Sequence, residues 1–160
     1  MCIYLTKKNS TPKIARKDIV CYKLVENVHA YGRYSKVAYT PFMGFCVTLG
    51  ETYDAVGWRT IHEFDDFDTP HGCYTHYFSE GAIHTFKTLE GVEKFCNGYS
   101  HTYGIGCGCS VVKCIIRKGT EYFSGVFEET RIPCYASSSL TYTEEIVKDL
   151  DFLDDDDYDD

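Results

Sequence analysis

No apolar run in this chain is long enough to span a bilayer. No leader of the secretory type opens it, because the apolar stretch at 1–5 is short and Lys7 and Lys8 follow it. The expectation is a cytoplasmic chain with no membrane partner. Cys-x-x-Cys pairs are also missing, although there are nine cysteines. An odd number without a secretory leader reads as reduced thiols, most of them small core residues, and not as a disulfide framework. No internal repeat is visible.

Each end of the chain lacks charge of one sign. No acid precedes Asp18, and no base follows Lys148. The segment 149–160 holds eight Asp; without it, 16 of the 24 acids remain against 16 Lys and Arg. The net charge of −8 therefore sits wholly in that segment, and the body is neutral. A neutral body offers no broad basic face, so direct nucleic-acid binding is not expected.

What the chain does have is a heavy aromatic load, with 14 Tyr and 10 Phe. Aromatics suit a pleated, half-buried surface and point to strands. The expected organisation is a basic N-terminal arm at 1–17, one globular domain at 18–148 and an acidic disordered tail at 149–160. Strands are predicted at 18–25, 44–49, 72–78, 81–85, 110–117, 120–127 and 138–147. Val112, Cys114 and Ile116 should share one face of their strand. Thr88 reads as the N-cap of one short helix, with Leu89, Val92, Phe95 and Cys96 at helical spacing and Asn97-Gly98 as its stop. The fold class is α+β, strand-rich, with one short helix.

Several constellations could carry chemistry. Gly104, Gly106 and Gly108 enter a strand instead of opening a helix, so they read as a plain loop and not a phosphate cradle. His71, Cys73 and His76 are candidate metal ligands, with His84 following, but strand alternation turns His76 away from the first two. No metal is expected. The run of Glu63, Asp65, Asp66 and Asp68 lacks the glycine and spacing of a calcium loop and reads as a solvated loop. In the last strand, alternation places Glu144 on one face with Leu140, Tyr142 and Ile146. A carboxylate among apolar neighbours needs a cleft, a base such as Lys23, or a shifted register. Glu144 is therefore the leading candidate for a functional carboxylate. In the tail, Phe152, Leu153 and Tyr158 interrupt the acids, which suits a segment that docks on a partner protein.

The landmarks CYKLV (21–25), GFCVTLGETY (44–53), GAIHTFKTLEGVEKF (81–95), VVKCIIRKGTEYFSG (111–125) and YASSSLTYTEEI (135–146) resemble a small domain family of phages and Bacteroides-type gut bacteria. That resemblance implies a source and a fold unit, with no activity attached. The order of the landmarks is also similar to the ADP-ribosyltransferase fold. There, an early strand carries Arg or His, a middle strand a Ser/Thr or Tyr motif, and a late strand a Glu, with NAD between them. The resemblance implies catalytic roles for His84, Thr85 and Glu144 (or its neighbour Glu145) and cofactor contacts for Tyr22, Lys23 and Phe86. The early strand offers Tyr22 and Lys23 in place of Arg or His. The leading expectation is thus a phage-type accessory protein that acts in the host cytoplasm by binding a host protein or a nucleotide-like ligand, as an inhibitor of host defence. An NAD-dependent ADP-ribosyltransferase-like enzyme is the alternative, and a virion or structural module the third reading.

Overall fold

A computed structural model describes residues 3–5, 11–26, 37–40, 45–56, 58, 61–66, 74–79, 81–99, 109–127 and 130–150. The elements in chain order are β1 (Ile3–Tyr4), β2 (Lys13–Ile14), β3 (Ile19–Glu26), β4 (Val37–Thr40), β5 (Phe45–Thr48), β6 (Thr52–Asp54), β7 (Ile61–Asp66), β8 (Tyr74–Ser79) and β9 (Ile83–Phe86). Helix α1 (Leu89–Tyr99) follows, then β10 (Cys109–Ile116), β11 (Glu121–Phe127), β12 (Ile132–Ser137) and β13 (Ser139–Leu150). The protein is strand-rich with one helix among the described residues. That helix is not long and apolar enough to cross a membrane.

The main sheet runs β1-β11-β12-β9-β3-β10-β13-β6, with every described pair antiparallel. β2 adds to β11, and the β4–β5 hairpin adds to β3. β7 and β8 form a separate pair. The segment set apart as an arm therefore contributes two short strands to β11, and Ala15 behind them is buried.

The strand at 18–25, the strand at 110–117 and the helix stand close to where the sequence puts them. Thr88 caps the helix: its Oγ1 accepts the Gly91 N–H at 3.1 Å. The helix runs through Asn97 and Gly98 to Tyr99, two residues past the expected stop. A Cβ on Gly91 would meet Ile132 Cγ2 at 3.1 Å, so a glycine there lets α1 lie close on β12. The acidic run expected as a loop is instead a strand: Ile61–Asp66 pairs with Tyr74–Ser79. Backbone pairing with a β-prone partner overrides the poor strand propensity of Asp there.

The sheet buries both faces. Under α1, Val92, Phe95 and Cys96 pack on Leu24, Phe86, Val111, Phe123, Phe127 and Ile132. Phe95 stands edge-on to Phe127, with ring centres 5.1 Å apart. Trp58 closes the same face against Phe123 and donates its Nε1–H to Glu121 Oε2 at 2.8 Å. The opposite face gathers Cys21, Val25, Val47, Val112, Cys114, Ile116, Leu140 and Tyr142. Val112, Cys114 and Ile116 thus share a face, as alternation predicts.

Candidate functional site

The last strand departs from simple alternation. Cys114 faces Tyr142 and Lys113 faces Glu144, so two steps on β13 match one step on β10. Thr143 is the extra residue, and its Oγ1 donates to the Lys113 carbonyl at 2.6 Å. Such a bulge exchanges faces. Leu140 and Tyr142 therefore stay in the core opposite the helix, while Glu144 turns to the helix side with Lys113. Glu144 is 61% exposed and its Oε1 meets Lys113 Nζ at 3.0 Å. Its base is Lys113, not Lys23. Ile146 is also exposed.

The register strings several predicted residues into one row across four strands. Phe86 opposes Tyr22, Tyr22 opposes Lys113, and Lys113 opposes Glu144. The row is buried at Phe86, half-buried at Tyr22 and open at Glu144. Thr85 lies one residue from Phe86 and so points to the other face.

A second cluster occupies a seam in the sheet. β3 pairs with β10 along its whole length but meets β9 only at Tyr22–Phe86. Where that ladder lapses, Lys23 turns its Nζ to the His84 carbonyl at 2.7 Å. Lys23 is 9% exposed. Burial pulls its amine down to about 8, with the Cys114 and Cys21 thiols opposing slightly. Holding that group charged at neutral pH costs about 3 kcal/mol, the free-energy equivalent of a proton affinity weakened from 10.5 to about 8. His84 is driven down to about 3, first by burial and then by the Lys23 charge, so its imidazole is neutral. Among the described residues its Nε2 has no hydrogen-bond partner, nor has Thr85 Oγ1, although the latter lies near enough the Cys21 thiol to favour its ionisation. Burial pushes Cys21 up to about 11 and Cys134 up to about 12, and raises Cys114 as well. These thiols are protonated and inert as nucleophiles. The seam therefore brings His84, Thr85 and Lys23 together and leaves Glu144 three strands away from β9.

The third arrangement is one that a residue tally conceals. β2 lies on β11, and the stretch after it is stitched to the turn after β10. Ala15 N–H donates to the Thr120 carbonyl at 2.9 Å, and Gly119 N–H to the Ala15 carbonyl at 2.8 Å. Gly119, at φ 90°, supplies the left-handed conformation that closes this turn. Asp18 takes the Lys118 N–H at 2.8 Å and the Arg117 guanidinium at 2.9 Å, and those bonds hold its carboxyl below the usual range. The result is an open groove of about 960 Å³ rimmed by exposed Lys13, Arg16, Lys17 and Lys118 and floored by Ile14, Ile19 and Tyr122. Lys87 lies on the same side. It stands 4.8 Å over the Tyr135 ring and is lowered first by burial, with Lys13 adding to the effect. Ile14 is 63% exposed. The groove thus offers positive charge beside apolar surface, a combination that suits an anion carrying an apolar or aromatic group.

His71, Cys73, Phe152, Leu153 and Tyr158 lie outside the described residues, as does the glycine run at 104–108. His76 falls on β8, opposite Phe64. No cluster of metal-ligating side chains occurs among the described residues. Sequence reasoning missed the groove because Lys118 joins it from a hundred positions away. The only signal was the acid-free opening of the chain.

Comparison of the chain with protein-family models, with curated proteins and with solved structures finds no match.

Proposed function

We propose that this protein works by binding, as a phage-type accessory protein that engages a host protein in the host cytoplasm and thereby blunts a defence system. The basic groove is its fixed contact, and the acidic segment 149–160 is a second. The observation that carries the reading is the groove itself: four exposed cations around an apolar floor, held by backbone hydrogen bonds. An acidic protein segment suits it, and a nucleotide-like ligand is the small-molecule form of the same anion chemistry. Calorimetric titration of the intact chain with an Asp-rich peptide containing Phe, and separately with ADP, tests this. Binding should weaken at 500 mM salt, chosen as roughly three times the physiological value. It should also weaken when Lys13, Arg16, Lys17 and Lys118 are all changed to Gln. Absence of binding by both probes at low salt sinks the reading.

The row of Phe86, Tyr22, Lys113 and Glu144 favours a second reading, an ADP-ribosyltransferase-like enzyme using NAD. In it Glu144 would support an oxocarbenium-like transition state electrostatically. Against it stand the pairing of Glu144 with Lys113 and the placement of Thr85 on the other face. NAD titration and an ADP-ribose transfer assay, run on the native chain and on Glu144→Gln, decide it. No transfer by the native chain removes the enzyme.

A further inference from the structure

We propose that the groove takes the acidic segment 149–160 of a second copy of this chain, so that two copies pair by exchanging these segments. The inference rests on the groove reading above and names its occupant. The segment has eight Asp spaced by Leu150, Phe152, Leu153 and Tyr158. The groove sets Lys13, Arg16, Lys17 and Lys118 around Ile14 and Tyr122. Charge answers charge, and apolar answers apolar. The other acidic run, at 63–68, carries four acids against eight and has Glu63, Asp65 and Asp66 paired within β7.

Reach selects the second copy over the same one. Leu150 stands opposite Cys109, at one end of β10. The groove lies beyond Ile116, at the other end, on the turn that holds Lys118. The seven strand steps from Cys109 to Ile116 span roughly 23 Å at about 3.3 Å per residue, and the turn that holds Lys118 lies beyond them. Asp154 to Asp157 lie four to seven residues past Leu150. Even fully extended they reach only about 14–24 Å from it. Phe152 and Leu153 fall shorter still. Of the acids in a copy's own segment only Asp157, Asp159 and Asp160 can therefore pass the end of β10, and Phe152 and Leu153 cannot, whereas a neighbour's whole run can lie along the groove. Reciprocal exchange makes a closed two-fold pair, in which the same two surfaces are used twice. Each groove is then masked until an outside partner displaces the segment.

The test is sedimentation of the intact chain over a range of concentrations at low and high salt, with two full-length variants. One carries Asn at positions 154, 155, 156 and 157 in place of Asp. The other carries Lys13→Gln, Arg16→Gln, Lys17→Gln and Lys118→Gln. Circular dichroism checks that both are folded. The native chain should form dimers at low salt. Each exposed charge pair is worth roughly two- to fivefold. The dimer constant should therefore weaken at least about tenfold at high salt and in either variant. A native chain that stays monomeric, or a dimer that ignores salt and both variants, overturns the proposal.

A peptide of residues 149–160, titrated into the Asn variant, separates the two readings. Peptide binding with a monomeric native chain discards the exchange and keeps the groove. If neither the peptide nor ADP binds, both fall. If ADP or an oligonucleotide binds and the peptide does not, the occupant named here is wrong. A monomer whose affinity for the peptide rises about tenfold once its own acids are neutralised would place the segment in its own groove, and that too overturns the exchange.

Discussion

Lys23 and the lysines of the groove carry the same ammonium in opposite surroundings. Lys23 lies within the sheet, bonded to the His84 carbonyl, with burial lowering its amine. Lys13, Lys17 and Lys118 stand in solvent beside Arg16. The buried cation destabilises the fold by its charge while capping a carbonyl that the lapsed ladder leaves over. The exposed ones carry no comparable burial cost and stay within reach of a ligand. A buried charge answers to the sheet, and an exposed cluster is open to a ligand.

That contrast presumes that packing, and neither set of cations, holds the sheet. Phe95→Ala should therefore give the largest loss, about 3–5 kcal/mol in a denaturant titration. Phe95 is wholly buried between α1 and the sheet. A loss under 1 kcal/mol would mean that the helix-covered face is not the main core.

The next effect isolates Lys23. Its folded value of about 8 lies below the ordinary 10.5, so the folded chain binds fewer protons between those limits. Stability from this group therefore rises with pH from about 8 to 10.5 and is lowest below 8. Lys23→Met lacks that slope. The stability of the native chain relative to the Met variant should improve by about 3 kcal/mol across the window, measured by paired titrations. Taking the difference cancels most of the opposite trend from the buried thiols, whose raised values lose stability as pH rises above 9. A flat difference would place Lys23 in solvent and erase the contrast.

Gly119→Ala joins the two regions, because the turn that forms the groove also anchors β11. A side chain at φ 90° should cost roughly 1–2 kcal/mol. It should also weaken anion binding, since the turn carries Lys118. Lost stability with unchanged binding would detach the groove from its turn.

The Lys113–Glu144 pair should be worth less than about 1 kcal/mol in a double-mutant cycle, because both ends meet water. A larger coupling would make the pair structural, and Glu144 unavailable to a ligand. The smallest effect belongs to the groove. Lys118→Gln should change stability by no more than about 0.5 kcal/mol, while anion affinity falls. A fold that needs Lys118 would break the distinction from the other side.

Much of this was legible in the chain itself. DIVCYKLV has apolar residues on both sides, and β3 is buried on both faces. Thr88 before Leu89, Val92, Phe95 and Cys96 announces a capped amphipathic helix, and α1 begins there. β12 escaped notice because Ile132, Cys134 and Ala136 alternate with Pro133 and Tyr135, and a proline argues against a strand. Glu144 was read from unbroken alternation, and the residue inserted at Thr143 moved it to the other face. That insertion leaves no local mark, because Thr143 is as good a strand former as its neighbours.

Local order in the sequence by itself determined the helix start, the central strands, the shared face of Val112, Cys114 and Ile116, and the split between a neutral body and an acidic segment. Capping, alternation and charge act within a few residues, so a short stretch carries them complete. Only the tertiary structure decided that Lys23 would bond across an interrupted ladder, that Glu144 would meet Lys113, and that Lys118 would join Lys13, Arg16 and Lys17 around one groove. Each of these depends on which strand lies alongside and in what register. That choice is made by burying both faces of the sheet at once, and no single stretch of the chain contains it.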